Sequence, residues 1–530
     1  MTVAEYLANQ LINTGIKYVF GIPGGPSIPY LEAFRVAGIE FILVSNEASA
    51  GYMAEVSGRL TGIPGVCHAT YGPGATNIST GVGGALLDRS PVIVLTSEMD
   101  DKMLRRTTQM NIDHQKLFEP LTKATFRMTR ANAAEVINSA IHICQEDYPG
   151  PVHIGLPVDI ATLEIIEAAV PQRVVKTRSQ SNDINRITDL LEKSRRPLIA
   201  AGLTAARENI GDDLMVFLNR YKIPVVVTPM AKGLISEDHQ SYAGVLFHAL
   251  SDYLEDIFEK TDLVIGLGYD PVEYNYESWM PDVPLVHFDR KEADISLRGS
   301  LAQYIGAPAE WFDILNNLLA GSLVFESGLL QGVRDEMVSV FNGFTNHFGP
   351  VTALKVLQEE IPADSIVTAD VGSHLHLIGQ FWKTHGKRNL IMTNGWSGMG
   401  FGIPAALAVQ INDPDSTVIC ITGDGGFLMT AGEIATARRY NLPVIIVVIS
   451  DSELNLIKVK QSWQNLPPYG TLLFSGDMFG ADTFLGVRVI NSESEDKMRD
   501  AIIQALSIRE PVIINAIVDP EDYNWLIVRK

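Results

Sequence analysis

Asp424 and Asp451 occupy positions at which carboxylates commonly face a ligand. Asp424 lies in the glycine-rich turn 423–426, directly after the apolar run 417–422, and Asp451 follows the next apolar run. Each run predicts a buried strand, and neighbouring parallel strands would bring both carboxylates to the edge where open α/β sheets bind ligands. The glycines would let a diphosphate approach the backbone, and the next helix would direct its N-terminal amides there. An isolated Gly-Asp-Gly would be only a tight turn, so the second acid is essential to this prediction.

Two carboxylates beside phosphate oxygens also predict a metal site. Mg²⁺ prefers octahedral oxygen ligation and usually keeps some of its water. Asp424 and Asp451 would each supply a side-chain oxygen, and Glu453 could complete the shell through its backbone carbonyl. The sequence therefore predicts Asp424, Asp451 and Glu453 as metal ligands.

A second glycine-framed turn indicates that the fold occurs twice. Tyr71-Gly72-Pro73-Gly74 precedes the turn 422–426 by 351 residues, and the flanking apolar runs recur at almost the same offset. A duplicated fold predicts a ligand held between two similar domains. The copies differ in polar residues, because the first carries Glu47 and the second Asp424 and Asp451. Taken alone, Glu47 at a strand-to-helix junction would be an ordinary helix-capping acid.

The elements that would position these residues form three α/β units. Short apolar runs alternate with helical patterns throughout, which is typical of doubly wound parallel sheets covered by helices on both faces. Polar segments separate the units, so we predict domains over 1–170, 183–330 and 345–530, the first and third of similar fold. In the third, Thr430-Ala-Gly-Glu433 has the capping-box pattern and predicts the start of the helix after the glycine turn.

Composition excludes several functional classes. The net charge is −21 and there is no basic run, so neither nucleic acid nor an anionic membrane is an expected partner. No apolar run approaches the ~20 residues that cross a bilayer, and the N-terminus lacks the pattern of a signal peptide. Cys67, Cys144 and Cys420 lie far apart in apolar runs, which favours buried free thiols. We therefore expect an acidic cytoplasmic enzyme.

The glycine turn and the second acid together resemble the motif of thiamine diphosphate enzymes. In that family Gly-Asp-Gly is followed, after an interval similar to that between Asp424 and Asp451, by a strand end that usually reads Asn-Asn. Here the strand end reads Ser450-Asp451. An Asp still binds a hard cation, although it adds a negative charge beside the diphosphate. The resemblance implies thiamine diphosphate and Mg²⁺ as cofactors, with a pyrimidine-binding first domain and a diphosphate-binding third domain.

Further stretches resemble the acetolactate synthase branch of this family over nearly the whole chain. They are the runs 20–25, 71–77, 87–92 and 268–274. The last is most similar to the catabolic acetolactate synthases, which work without flavin. Flavin-bearing relatives carry Arg-Phe-Asp-Asp-Arg at this place, whereas Gly268-Tyr-Asp-Pro-Val replaces it here. FAD is therefore not expected.

The resemblance also implies roles for single residues. Glu47 matches the glutamate that hydrogen-bonds the pyrimidine ring of the cofactor, where a carboxylate must hold and share one proton. Met399 matches the apolar wedge that bends the cofactor. Gln109 matches a substrate-facing glutamine, with a plain surface loop as the alternative, and His68 matches a working histidine of benzoylformate decarboxylase, with a strand histidine as the alternative. The set implied for cofactor binding is Gly25, Gly72, Gly372, Ser373, His374, Ser397, Met399, Gly423, Asp424, Gly425, Gly426, Asp451, Leu454, Leu456 and Ile457.

These roles imply a carboligase that decarboxylates pyruvate and joins the hydroxyethyl unit to a second 2-oxo acid. In this family the two ends of the cofactor are held by different subunits, so a homodimer or homotetramer with active sites at the subunit interface is implied. Three alternatives remain open: a 2-oxo acid decarboxylase that uses His68, a carboligase or lyase for a triose phosphate or an acyl-CoA that uses Lys460, and a binding protein without turnover. Intact Glu47, Asp424 and Asp451 argue against the last.

Overall fold

Three β-sheets, each flanked by two apolar cores, form the scaffold of the protein. The computed structural model describes residues 1–146, 148–166, 183–246, 250–273, 279–292, 295, 301–319, 323, 327–343 and 347–526. Alternate residues of a strand enter opposite cores, as Val66 and Cys67 do in the first sheet. This burial on both faces confirms the predicted doubly wound α/β class.

The N-terminal unit contains the first sheet. Its strands are β1 (Tyr18–Gly21), β2 (Glu40–Leu43), β3 (Gly65–Ala69), β4 (Val92–Glu98), β5 (Ala124–Arg127) and β6 (Pro151–Pro157). Its helices are α1 (Val3–Asn13), α2 (Ile28–Ala37), α3 (Glu47–Thr61), α4 (Pro73–Leu87), α5 (His114–Phe118) and α6 (Ala133–Ile143). All strand pairs are parallel, in the order β2-β1-β3-β4-β6-β5.

The central unit contains a second sheet, which is also parallel. Its strands are β7 (Pro197–Ala201), β8 (Val225–Val227), β9 (Tyr242–Val245), β10 (Leu263–Leu267), β11 (Leu285–Asp289) and β12 (Leu301–Ile305). Its helices are α7 (Ile184–Lys193), α8 (Leu203–Arg207), α9 (Gly211–Tyr221), α10 (Glu255–Lys260), α11 (Pro308–Leu318) and α12 (Ser327–Asn342). The strand order is β12-β11-β10-β7-β8-β9.

The C-terminal unit contains a third sheet, in which one edge pair is antiparallel. Its strands are β13 (Ile366–Ala369), β14 (Leu390–Met392), β15 (Val418–Gly423), β16 (Ile445–Ser450), β17 (Thr483–Phe484), β18 (Val487–Ser492) and β19 (Val512–Ile517). Its helices are α13 (Pro350–Glu360), α14 (Ser373–Phe381), α15 (Gly402–Asn412), α16 (Asp424–Thr430), α17 (Glu433–Arg439), α18 (Asn455–Trp463), α19 (Glu495–Leu506) and α20 (Tyr523–Leu526). The order β14-β13-β15-β16-β19-β18-β17 begins with the same second-first-third-fourth arrangement as the first sheet, so these two units share a fold as predicted.

The first and third units pack on each other through α3 and α15. The Tyr52 and Phe401 rings meet edge to face with centroids 5.6 Å apart, and the Asn412 side chain donates to Ser57 Oγ at 2.8 Å. One apolar core continues from the first unit into the third. Because these contacts are buried, the two similar units hold each other in a fixed arrangement within one chain.

Helices α3 and α4 approach closely at paired glycines, and this contact yields a stability prediction. A Cβ built on Gly81 would lie 2.6 Å from Gly51 Cα and 2.7 Å from the Ala48 carbonyl oxygen. Both neighbours are backbone atoms, so Gly81→Ala would force the helices apart. We expect a loss of about 1–3 kcal/mol, measured as a lower urea midpoint. Gly332→Ala is the matched control, because nothing lies within 4 Å of its Cβ position; an equal loss there would contradict the packing argument.

Several predictions about chain organisation have definite outcomes. Cys67, Cys144 and Cys420 are buried and free, as expected. In the described ranges, every helix is too short or too polar to cross a bilayer. The predicted boundaries at 170 and 345 lie outside the described residues, and the domain limits stay predictions.

Candidate active site

A cavity of about 120 Å³ lies at the carboxyl ends of β13, β15 and β16. Four of its lining residues were not predicted: Val371, Ile449, Asn455 and Tyr523. The others were all predicted cofactor or metal residues, namely Gly372, Ser373, His374, Met399, Gly423, Asp424, Gly425, Gly426, Asp451, Glu453, Leu454, Leu456 and Ile457. The structure therefore brings together most of the residues that the sequence assigned to the diphosphate and the metal.

Asp424 organises the acidic end of this cavity. It is the first residue of α16, and the adjacent parallel strands β15 and β16 place it beside Asp451. Asp424 Oδ2 accepts hydrogen bonds from the backbone amides of Asp451 at 3.1 Å and Ser452 at 2.6 Å. Asp451 Oδ1 in turn accepts from the Glu453 amide at 3.0 Å. The three predicted ligands are thus joined by one set of hydrogen bonds.

The electrostatics of this end fit a hard cation. Burial raises the pKa of Asp424, and burial together with the Asp424 charge raises the pKa of Asp451 to about 7. Among the described residues that line the cavity there is no lysine or arginine that could neutralise the two carboxylates. A buried pair of acids needs a compensating charge, and a divalent cation with oxygen ligation would supply it.

The glycine turn leaves room that side chains would fill. A Cβ on Gly425 would lie 3.0 Å from both Met399 Cε and Leu454 Cδ2, and one on Gly426 would lie 2.5 Å from Asp370 Oδ2. His374 is 3% exposed, and its Nε2 has no hydrogen-bond partner among the described residues. A free imidazole nitrogen and unobstructed backbone amides fit the phosphate oxygens of a diphosphate.

Asp370 fixes the loops around the turn, a role the sequence did not reveal. Its Oδ1 accepts from the Val371 amide at 2.7 Å and from the Gly400 amide at 2.9 Å, while Oδ2 accepts from Thr422 Oγ1 at 2.9 Å. Burial raises the pKa of this carboxyl to about 6. One buried side chain therefore connects three segments that reach the cavity.

Glu47 lies in a different group, at the carboxyl end of the first sheet. It is the first residue of α3, and Asn46 caps the helix by accepting from the Ala48 amide at 2.8 Å. Glu47 is 8% exposed, and its Oε2 accepts from Asn77 Nδ2 at 3.1 Å. A Cβ on Gly74 would lie 3.4 Å from Glu47 Oε1. In the sequence Asn77 is only one position of the 71–77 run, but in the structure its side chain orients the candidate carboxylate.

The prediction of a capping box over Thr430–Glu433 is wrong. The helix after the glycine turn begins at Asp424, Thr430 is its last residue, and no side chain caps the start of α17. The Glu433 carboxylate instead accepts from the backbone amides of Ser45 and Asn46, each at 3.0 Å. A residue of the third unit thus holds the turn that precedes Glu47, a contact that local sequence does not reveal.

Families of known proteins match all three units of the chain. Three family models match: Thiamine pyrophosphate enzyme, N-terminal TPP binding domain, over residues 1–117; its central domain over 184–312; and its C-terminal TPP binding domain over 370–516. A Probable acetolactate synthase large subunit of Methanocaldococcus jannaschii is 30% identical, over 98% of this chain and 93% of the relative. The chain belongs to the thiamine pyrophosphate enzyme family.

Other relatives place this thiamine pyrophosphate enzyme with those of acetolactate synthase type. An Acetolactate synthase of Bacillus subtilis is 27% identical over 98% of this chain and 93% of the relative. The Acetolactate synthase isozyme 2 large subunit of Escherichia coli is 27% identical over 100% of this chain and 97% of the relative. The predicted membership of this family and of its acetolactate synthase-like group is confirmed.

The remaining residues predicted from the family lie outside the cavity lining. Gly25 is exposed at the start of a short 3-10 helix, and Ser397 is exposed with its hydroxyl on the Asn394 carbonyl. Gly72 lies at the start of α4. Gln109 is exposed in the loop before α5. Their assignment to cofactor or substrate stays a prediction.

His68 is buried in the first sheet, next to the backbone of Ile22. It is 0% exposed, its ring meets Phe41 edge to face with centroids 6.0 Å apart, and neither ring nitrogen has a clear hydrogen-bond partner. Burial lowers the pKa of His68 to about 4. A neutral, enclosed imidazole is what a structural strand histidine would show.

Proposed function

We propose that this enzyme decarboxylates pyruvate and joins the hydroxyethyl unit to a second 2-oxo acid, forming acetolactate with thiamine diphosphate and Mg²⁺. One observation carries the proposal: Asp424, Asp451 and the glycine turn line one cavity at the carboxyl edge of the third sheet. The names of the relatives support the reaction, because the acetolactate synthases of Bacillus subtilis and Escherichia coli match over 98% and 100% of the chain.

The residues of the cavity would hold the cofactor by its diphosphate end. Asp424 and Asp451 would ligate Mg²⁺ through side-chain oxygens and Glu453 through its carbonyl. Backbone amides of the glycine turn and of the start of α14, with His374 Nε2, would bind phosphate oxygens. When bound, thiamine diphosphate would supply the electron sink that decarboxylation requires. Met399, beside Gly425, would contact the cofactor between its two ends.

Glu47 would hold and release the proton that the pyrimidine end must exchange. Its carboxylate is nearly enclosed and keeps one orientation through the bond from Asn77 Nδ2. The amide contacts of Glu433 fix the strand-to-helix turn that carries it. A carboxylate in one position, shielded from bulk water, suits general acid–base catalysis.

We propose that a second copy of the chain completes the site, in a homodimer or a tetramer. All described residues that line the cavity come from the C-terminal unit, whereas Glu47 belongs to the N-terminal unit. Large apolar side chains are exposed beside the cavity, including Met429 at 58% and Leu472 at 66%, together with Leu428 and Ile457. Such side chains are typical of a surface that a protein partner covers.

The expectation that FAD is not required has structural support. The segment that replaces the arginine-rich run of flavin-bearing relatives contributes Asp270, which pairs with Arg89 Nε at 2.7 Å. Asp270 is 2% exposed and Arg89 lies at the end of α4, so the segment docks onto the N-terminal unit. In this chain the segment therefore serves a contact between units, and we propose activity without flavin.

The geometry supports neither of the two alternative enzymatic functions, the decarboxylase and the enzyme for a phosphorylated or CoA-linked donor. Decarboxylation with proton delivery by His68 would need an accessible imidazole, and this one is fully buried. A phosphorylated or CoA-linked donor that uses Lys460 would need that lysine at the cavity, but Lys460 is exposed and is not among the lining residues. Pyruvate remains the donor that we propose.

The proposal is tested by product NMR. Purified protein is incubated with thiamine diphosphate, Mg²⁺ and pyruvate, without FAD, and we expect acetolactate. Acetaldehyde as the only product would replace the carboligase by a decarboxylase. Bound cofactor without any turnover of pyruvate would show that the donor is a different 2-oxo acid or another class of compound.

A further inference from the structure

Three buried side chains and the half-buried Thr125 form a continuous hydrogen-bonded row behind the first glycine turn. The Gly72 amide donates to His114 Nε2 at 3.2 Å. His114 Nδ1 lies 2.9 Å from Thr96 Oγ1, which lies 2.8 Å from His153 Nε2. His153 Nδ1 lies 2.7 Å from Thr125 Oγ1. The row therefore runs from a backbone amide through two imidazoles and two hydroxyls.

The first member of this row fixes the tautomer of His114. A backbone N–H can only donate, so His114 Nε2 must be unprotonated and its proton must sit on Nδ1. That proton is donated to Thr96 Oγ1, and we assign the one proton of this hydroxyl to the bond with His153 Nε2. His153 is therefore also protonated on Nδ1 and donates to Thr125 Oγ1. The Gly72 amide thus fixes the tautomer of His114, and the assignment at Thr96 gives that of His153.

The same residues have the spacing of a metal site, but the bonding pattern opposes one. Glu98, His114 and His153 offer ligand atoms within 4.8 Å of one another. All four ring nitrogens already have hydrogen-bond partners. Arg127 Nε lies 2.9 Å from Glu98 Oε2, and the Gln115 side chain donates to Glu98 Oε1. A guanidinium on the carboxylate disfavours a second cation there, so the cluster is a hydrogen-bond network.

The turn at Gly72, whose amide donates to His114, is connected through α4 to the candidate catalytic carboxylate of Glu47. Gly72 has φ +66° and its carbonyl accepts from the Thr76 amide at 3.0 Å, which starts α4. The next turn of α4 carries Asn77, which donates to Glu47. A Cβ on Gly72 would lie 2.5 Å from the Met110 carbonyl oxygen, so only glycine fits this position. The position of Gly72 thus determines where the Asn77 amide meets Glu47.

We propose that His114, in the Nδ1-protonated tautomer that accepts from the Gly72 amide and donates to Thr96, is a positioning residue that sets the Gly72 turn and, through α4, the orientation of Glu47. The link to catalysis rests on the function proposed above, whereas the tautomer and the bond to Gly72 do not. His114 would touch neither substrate nor cofactor. Its contribution would be a backbone amide held in one place.

The surroundings keep both imidazoles neutral. Burial lowers the pKa of His114 to about 4 and that of His153 well below its usual value. His153 is stacked on Phe118 with ring centroids 4.2 Å apart. The acids that face His114 are Glu98, 4.0 Å from Nδ1, and the adjacent Asp113, and Glu98 is already paired with Arg127. The row should therefore persist unchanged from neutral pH down to about pH 5.

The tautomers can be measured without substrate or cofactor. Long-range ¹⁵N–¹H correlation spectra of the chain labelled at histidine show which ring nitrogen carries the proton, and the variants below assign the signals. We expect both His114 and His153 to be protonated on Nδ1 between pH 7 and pH 5. A proton on His114 Nε2, or ordinary titration of His114 near pH 6.5, would overturn the proposal.

Two matched pairs of variants test the positioning role. His114→Gln can place its amide oxygen near the former Nε2 and still accept from Gly72, whereas His114→Asn reaches only Thr96. We expect hydrogen exchange at the Gly72 amide to be about 10- to 100-fold faster in His114→Asn and little changed in His114→Gln. If His114→Asn fails to fold, a comparison of Thr96→Val with Thr96→Ser tests the same positioning role. Only serine keeps the hydroxyl that bonds His114.

The expected results separate this proposal from the proposed reaction. Thr96→Val should speed exchange at Gly72 and change the His153 tautomer signal, although His153 itself is not replaced, while Thr96→Ser should do neither. With pyruvate, His114→Asn should lower kcat about tenfold at unchanged KM, and His114→Gln should restore most of it. Equal exchange at Gly72 in both members of each pair would overturn the positioning role, whatever the enzyme's substrate proves to be.

Discussion

Replacing Glu47 by Gln should reduce the rate of pyruvate consumption by about 10²- to 10⁴-fold, the contribution usual for a general acid–base group. Glutamine keeps the size of the side chain, and its amide oxygen can still accept from Asn77 Nδ2. It cannot hold and return a proton. The fall should therefore appear in kcat, while the affinity for thiamine diphosphate, measured by calorimetry with Mg²⁺, stays within about threefold.

Glu32→Gln is the matched control for this prediction. It makes the same chemical change in the same unit, but Glu32 is exposed and, among the described residues, pairs with its neighbour Arg35 on α2 alone. Its turnover should equal that of the unmodified enzyme. Glu47→Gln with full activity would remove Glu47 from the proton transfer, and a large loss of cofactor affinity instead would make it a binding residue.

The positions of the strands and of the glycine turns were predictable because they depend on local chemistry. A strand buried on both faces must be apolar over its whole length, as in 417–422, and the strand found there is β15 (Val418–Gly423). Glycine is required where another backbone approaches, as at Gly51 and Gly81, or where a ligand site needs room, as at Gly425. Such requirements leave a signal in the sequence around each position.

Contacts between distant segments were not predictable, since no local pattern encodes them. Glu433 appeared to be the last residue of a capping box, yet it binds amides 387 and 388 residues away. Its type and spacing are the same for either role. His114 likewise resembles any polar residue that follows a helix-capping Asp, and only the fold brings it to Gly72. Residues that position a site therefore emerge from the structure, while residues that form it are visible in the sequence.

Replacing Asp424 by Asn should abolish cofactor binding at working concentrations. Asp424 accepts three backbone hydrogen bonds and would ligate the metal as well. Asparagine has one oxygen, and its amide group would face backbone N–H donors. Losing charge-assisted contacts costs about 1.5–3 kcal/mol each, so the dissociation constant for thiamine diphosphate with Mg²⁺ should rise by at least about 100-fold. Isothermal titration calorimetry measures this directly.

Asp451→Asn is the informative comparison, because it removes the same charge from the same cavity. Its side chain makes one backbone contact, with the Glu453 amide, and an amide oxygen can replace the carboxylate oxygen both there and on a hard cation. We therefore expect the dissociation constant to change by less than about tenfold. Equal losses in Asp424→Asn and Asp451→Asn would mean that net charge, rather than the geometry of Asp424, determines binding.

Together, the two inactive variants decide whether one site spans two chains. Glu47→Gln removes the carboxylate that the N-terminal unit contributes to the site, and Asp424→Asn removes the one that the C-terminal unit contributes. If each site combines Glu47 of one chain with Asp424 of another, a mixed dimer has one intact site, and equal co-expression should restore about a quarter of normal activity. If both residues act within the same chain, every site carries one defect and the mixture stays inactive. The cavity, lined only by C-terminal residues, leads us to expect the restored activity.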